Sequence, residues 1–145
     1  MAKITEVRAR EILDSRTTPT IEVTLWADDA RATFSTPSGA STGKHEAHEL
    51  RDGDAARYGG NGVRKCVEIV EKLRAELIGR ELGDQAGFDA WLIAQDGTPN
   101  KDKLGGNTIL ALSGAYLRLS AVVRGLEVWQ LVAELAETTP AFPRI

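Results

Sequence analysis

Residues 20–37 read TIEVTLWADDARATFSTP, and the period of this stretch decides what its neighbours pack against. Ile21, Val23 and Leu25 alternate with Glu22, Thr24 and Trp26, the period-two pattern of a strand with one buried face. Asp28-Asp29 marks a tight turn, and Arg31 to Thr36 forms a second strand that ends at Pro37. Upstream, Lys3 to Leu13 alternates as well, with Ile4, Glu6, Arg8 and Arg10 on one side and Thr5, Val7 and Ala9 on the other. Short connections between three such strands predict an antiparallel meander.

Beyond residue 54 the period lengthens. Val63, Cys66, Val67, Val70, Leu73 and Leu77 fall at three- and four-residue steps, which predicts an amphipathic helix stopping at Gly79. Asp84 is suited to cap a second helix holding Phe88, Trp91 and Leu92. Asn107 is suited to cap a third, with Leu110, Gly114, Leu117 and Ala121 as a narrow packing stripe and Gly125 as its stop. A fourth short helix is expected over Glu127–Ala136. Strands followed by helices give an α+β domain, a three-stranded antiparallel meander under about four helices. Residues 137–145 read as an extended exit segment.

The 145 residues suffice for one domain, and 42% hydrophobic with 27% charged residues is ordinary for a globular fold. Lys and Arg total 18 against 21 Asp and Glu, a formal charge of −3 with no run of like charge. Nothing in that balance suits nucleic acid or an anionic membrane. Cys66 is the only cysteine, so no intramolecular disulfide is possible, and an inert buried thiol is expected within its helix. The N-terminus lacks the apolar core of a signal peptide, and no apolar run approaches the ~20 residues of a membrane span. A cytoplasmic location is the expectation.

Between these halves lies PSGASTGKHEAHELRDGD, Pro37 to Asp54. Two glycines, an alanine and small hydroxyl residues from Ser38 to Gly43 let the backbone come close to a ligand. The Ser41 and Thr42 hydroxyls are hard oxygen donors suited to Mg²⁺ or phosphate. A phosphate-binding P-loop is excluded, because Gly39 and Gly43 enclose three residues instead of four and Lys44 precedes His45. A zinc-protease helix is excluded as well, because His45 and His48 stand three apart instead of four.

At full length this segment resembles the mobile loop of enolases. ITEVRAREILDSRTTPTIEV, from Ile4 to Val23, is similar to the family's opening, with Asp14-Ser15-Arg16 and Pro19-Thr20. DGTPNKDKLGGNTILALSGA, from Asp96 to Ala115, resembles the family's block around a Leu-Gly-Ala-Asn helix start. The three blocks come in the family's order and spacing and cover nearly the whole chain.

The resemblance implies an N-terminal domain, residues 1–136, with residues 137–145 leading toward a C-terminal barrel that holds the base, the acid and three carboxylate metal ligands. It implies a hydro-lyase that dehydrates 2-phosphoglycerate to phosphoenolpyruvate with Mg²⁺. Under it Ser41 is the ligand that a closing loop brings to the second Mg²⁺, with Gly39, Ala40 and Thr42 as its neighbours. His45 and Glu46 take loop-anchoring roles, and Arg10 and Glu22 fall where the family pairs charges across a homodimer interface. Asp14 and Arg16 are expected to brace the loop's base. Catalytic groups are not expected within this chain, and the barrel is a partner in cis or in trans. Two other readings stand beside this one: a divergent paralogue acting on a phosphonate or carboxyphosphonate analogue, and a stand-alone non-catalytic binding domain.

Three positions depart from the family pattern. Thr17-Thr18 replaces Gly-Asn, Gly105-Gly106 replaces Gly-Ala, and Gln95 precedes Asp96 where Leu is usual. The β-branched pair at 17–18 predicts a locally different turn, because such residues resist the positive φ that Gly permits.

Overall fold

The computed structural model describes residues 2–39 and 43–141. Three strands, β1 (Glu6–Leu13), β2 (Pro19–Ala27) and β3 (Ala30–Ser35), form an antiparallel sheet in chain order. Four helices follow, α1 (Arg64–Leu77), α2 (Gln85–Asp96), α3 (Gly106–Val123) and α4 (Val128–Leu135), with one 3-10 turn at Tyr58–Gly60 before them. The expected α+β arrangement is thereby observed.

Register explains the two faces of the sheet. Val7 pairs with Leu25 and Leu25 with Ala32, so all three side chains enter the core beside Ile21 and Val23. The intervening rows, Glu6–Trp26–Arg31 and Arg8–Thr24–Thr33, lie on the opposite face. The alternation therefore holds for β1 from Glu6 onward, but Ile4 is fully buried. It leaves the strand's pattern because residues 3–4 bond to the segment after α1: the Ile4 amide donates to the Arg80 carbonyl at 2.9 Å, and the Gly79 amide donates to the Ile4 carbonyl at 2.8 Å.

Helix α3 covers β2 and β3, while α1 covers β1. The stripe expected on α3 needs correction. Its buried apolar residues are Ala111, Leu112, Ala115, Tyr116 and Leu119, with Ala121 further along, whereas Leu110 is exposed. The helix is apolar around most of its circumference, so periodicity does not single out the packed face. Gly114 does lie at a close approach, since a Cβ there would stand 2.5 Å from the Phe34 ring. Helix α4 turns away from α3 by 103° after Gly125, whose φ of +66° is a left-handed conformation that glycine adopts without strain.

The caps show which local signals work. Asp84 accepts from the Gly87 amide at 2.8 Å and starts α2 as expected. Glu127 and Gln130 form a reciprocal capping box on α4. Asn107 does not cap α3; the N-cap is Gly105, and Asn107 sits inside the first turn. Helix α1 has Val63 at its N-cap position, and its first amides are satisfied from elsewhere in the chain: Arg64 and Lys65 donate to the Asp52 carboxylate at 3.0 and 2.9 Å.

The tryptophans are peripheral to the core of this domain. Trp26 lies on the outer sheet face under the Arg8 guanidinium, Trp91 is half-buried beneath Arg80, and Trp129 is 59% exposed.

The turn between β1 and β2 overrides the expectation for Thr17-Thr18. Thr17 adopts φ +63° although it is β-branched. One carboxylate enforces this, because Asp14 Oδ1 accepts from both the Arg16 and Thr18 amides at 2.8 Å while the Thr17 amide donates to the Asp14 carbonyl at 3.0 Å. Thr17→Gly should therefore stabilise the chain by about 0.5–1 kcal/mol, the relief of left-handed strain exceeding the extra entropy of an unfolded glycine. Urea midpoints of the two proteins check this, and a destabilised glycine variant would show that Thr17 is not strained.

Candidate functional site

The segment from Pro37 to Leu50 leaves β3 and returns to α1, and its two stems are tied by buried polar groups. On the first stem Thr36 is buried. Its amide donates to the Ile21 carbonyl at 3.0 Å, its hydroxyl donates to the Asn107 carbonyl at 2.9 Å, and its carbonyl accepts from the Thr20 hydroxyl at 2.6 Å. Two residues on, Ser38 is held by two guanidinium groups. Arg16 Nη2 donates to its carbonyl at 2.5 Å and Arg51 Nη2 to its hydroxyl at 3.0 Å. Arg51 also donates to the Pro19 and Asn61 carbonyls at 2.6 and 2.8 Å, so one side chain joins strand β2, the loop stem and the approach to α1. Arg16 thus reaches the loop's base, with Asp14 beside it at 3.7 Å.

The second stem docks on the start of α3. The His48 amide donates to the Asn100 carbonyl at 2.8 Å, and the His48 carbonyl accepts from the Gly106 amide at 2.7 Å. Asn107 then clasps Leu50, its Oδ1 accepting from the Leu50 amide at 3.1 Å and its Nδ2 donating to the Leu50 carbonyl at 3.0 Å. Asn107 therefore holds both stems, Thr36 through its backbone and Leu50 through its side chain. Gly105 makes room for this clasp; a Cβ on it would lie 2.5 Å from Leu50 Cβ and 2.6 Å from Asn107 Oδ1, and its φ is +85°.

Of the candidate residues on the loop itself, Ala40, Ser41 and Thr42 lie outside the described residues. Gly39 is exposed, as are His45 and Glu46. Glu46 closes a small turn, its carboxylate accepting from the Gly43 amide at 2.5 Å. His45 makes no side-chain hydrogen bond among the described residues. Arg10 and Glu22 face each other on the outer sheet surface, Nε to Oε1 at 2.5 Å, with Ser35 donating to the other Glu22 oxygen at 2.9 Å. Arg10 is 68% exposed there and Glu22 13%, so on its own the pair contributes at most about 1 kcal/mol.

Below the second stem sits an ionic network that no motif announced. Arg57 bridges Glu11 on β1, through both guanidinium nitrogens, and Asp52 at 3.4 Å; Glu11 also accepts from the Val63 amide at 2.7 Å. The hydrogen bond from Arg57 holds the Glu11 carboxyl below its ordinary range, outweighing the opposing effect of burial. The partner Arg57 is correspondingly raised by Glu11.

The sign of the resulting pH dependence follows. A depressed carboxyl contributes stability above its unfolded value, near 4.5 for Glu11, and loses it as pH falls through the folded value. Stability should decline from about pH 5 downward, and Glu11→Gln should flatten that decline while lowering stability at pH 7. Urea titrations of both proteins at several pH values test this; equal slopes would remove Glu11 from the acid response.

These residues do not make a metal cage. Among the described residues no group of three or more His, Cys, Asp or Glu is placed to hold an ion, and the polar atoms of Ser38 are taken by cationic arginines. The chemistry visible here is that of positioning. Cys66 is buried, its thiol pushed up by desolvation, which fits the inert role expected of it.

The geometry thus shows a sheet, a helical layer and a loop whose two stems are both fastened at residue 107, one through its backbone and one through its side chain. A protein-family model described as "Enolase, N-terminal domain" matches residues 4–132, from Ile4 before β1 into α4. The chain belongs to the enolase family and carries that family's N-terminal domain.

Proposed function

We infer that this chain is the loop-bearing part of an enolase-type hydro-lyase that dehydrates 2-phosphoglycerate to phosphoenolpyruvate. The family match over residues 4–132 carries the reading. In it the base, the acid and the carboxylate ligands of Mg²⁺ belong to a barrel domain following residue 136, and the ion would supply the positive charge that makes loss of a weakly acidic proton feasible. The part of this chain is positional. Arg16, Arg51 and Asn107 set where the loop begins and ends, and Ser41 is the residue that the loop brings to the metal. The apolar side of α4, with Val128, Trp129, Val132 and Leu135 exposed, supports a covering partner, which in this reading is the barrel. Arg10 and Glu22 then meet the second copy of a cytoplasmic homodimer.

The reading on a phosphonate analogue gains nothing from the turn at Thr17, because that turn keeps a positive φ despite its β-branched residue. The test supplies 2-phosphoglycerate and Mg²⁺ to the chain alone, and to the chain with an enolase barrel joined after residue 136, and follows phosphoenolpyruvate absorbance. Turnover is expected only with the barrel, and Ser41→Ala should remove most of it while leaving the fold unchanged. Substantial turnover by the chain alone, or none by a folded two-domain protein, would overturn the proposal.

A further inference from the structure

Beside the second loop stem, the outer side of α1 and the 95–104 segment enclose an open groove of about 420 Å³. Its floor is aliphatic, made by Leu50, Ile69, Leu73 and Leu104, and no aromatic ring lines it. Lys65, Lys72 and Lys103 stand around it, with Glu68 as the one acid in the lining. None of these three lysines is paired with a carboxylate among the described residues. Lys65 Nζ donates to the Asp52 carbonyl at 2.8 Å and Lys103 Nζ to the Gln95 carbonyl at 3.0 Å, while Lys72 makes no hydrogen bond there. The groove thus gathers three ammonium groups over a hydrocarbon floor.

We propose that this groove binds a small alkyl carboxylate, such as a medium-chain fatty acid. The volume falls in the range of small-molecule sites. An aliphatic floor without rings selects a chain over a planar ligand, because only contact area is offered. The excess of two positive charges, three lysines against Glu68, selects an anionic head over a neutral or cationic one. Lysine stems extend the apolar surface while their ammonium groups stay at the rim, so head and tail are satisfied together. The proposal rests on this groove alone and stands whether or not the chain serves an enolase-type lyase.

The experiment is a titration of the ¹⁵N-labelled 145-residue chain with decanoate, followed by amide shifts. Acetate serves as the head without the tail, and decylammonium as the tail with the opposite charge. Decanoate should shift amides of the outward side of α1 and of residues 95–104, with acetate and decylammonium far weaker. Lys72→Glu, on an exposed helix position, should weaken decanoate binding by about tenfold with an otherwise unchanged spectrum. Lys103→Gln, as a second variant, should weaken it in the same direction. Equal binding of decylammonium, equal binding of acetate, shifts centred on α4 instead, or no localised shift at millimolar decanoate would each overturn the proposal.

Discussion

Asp96→Ala is expected to lower the folding free energy by about 3 kcal/mol. The residue ends α2 and is only 2% exposed, yet it carries a charge. Its Oδ1 accepts from the Thr98 amide at 3.0 Å and from the Thr98 hydroxyl, and its Oδ2 accepts from the Lys103 and Leu104 amides at 3.1 and 2.7 Å. One carboxylate thereby folds the whole connection from α2 to α3, including the turn in which Lys101 takes φ +63°. Burial pushes its pKa up, but the hydrogen bonds from Leu104 and Thr98 outweigh burial and hold it below the ordinary value. Truncation to alanine leaves the Leu104 amide without an acceptor in a buried place, and each such loss costs about 1–3 kcal/mol. Asn, with a single acceptor oxygen and two unwanted donors, should recover less than half of the loss. Urea unfolding measures both, and a cost below about 1 kcal/mol for alanine would mean that water replaces the carboxylate. The wild-type contribution is present above the unfolded pKa and fades as pH falls through the folded one, so the gap between Asp96→Ala and its parent should narrow in acid.

Asp96 also shows why the fold was more legible than the site. Period-two and 3.6-residue patterns act locally, so the strands, the helix ends at Gly79 and Gly125 and the cap at Asp84 could be read in the chain itself. Ile4 and the α3 stripe were misread where a tertiary contact, not the local period, chose the buried side. The groups around the loop are tertiary in origin. Glu11 and Arg57 are 46 positions apart, and Leu50 and Asn107 are 57 apart, so no window along the sequence contains both members of a pair. A usable signal did exist. The run Glu49, Arg51, Asp52, Asp54 and Arg57 is denser in charge than a plain loop requires, and Glu11 interrupts an otherwise core-facing row with Val7 and Ala9. A charge in a core row calls for a buried partner of opposite sign. Asn107 gave the opposite lesson, because an Asn near a helix start reads as a cap by type, while its side chain is turned to a neighbouring segment.

Asn107→Ala should cost about 3 kcal/mol, and its effect should be unequal between the two loop stems. The clasp on Leu50 is lost, leaving its part-buried amide unpaired and its carbonyl with only the weak Cys66 thiol donor at 3.5 Å, and a small void opens beside Cys66, whose sulfur accepts from Asn107 Nδ2 at 3.4 Å. The contact to Thr36 survives, because it is made by the backbone carbonyl of residue 107. Amide exchange at Leu50 should therefore speed up by more than the roughly 150-fold that a global loss of about 3 kcal/mol imposes on Thr36. Equal acceleration at both positions would show that the stems are not held separately. Asn107→Asp separates the hydrogen bonds from the void. Its carboxylate still accepts from the Leu50 amide but faces the Leu50 carbonyl where the amide donor was, and only the protonated acid donates there. The folded pKa of that new carboxyl should be raised, so its stabilising contribution is full below the unfolded value of about 3.9 and is lost as pH rises through the folded value. The parent runs the other way, since Glu11 and Asp96 weaken it in acid. Measured by urea midpoints, Asn107→Asp should then lie closest to its parent near pH 4 and furthest from it at pH 7. A constant difference between the two across that range would mean that the donor half of the clasp contributes nothing. The second stem would then rest on the bonds of His48 to Asn100 and Gly106 alone.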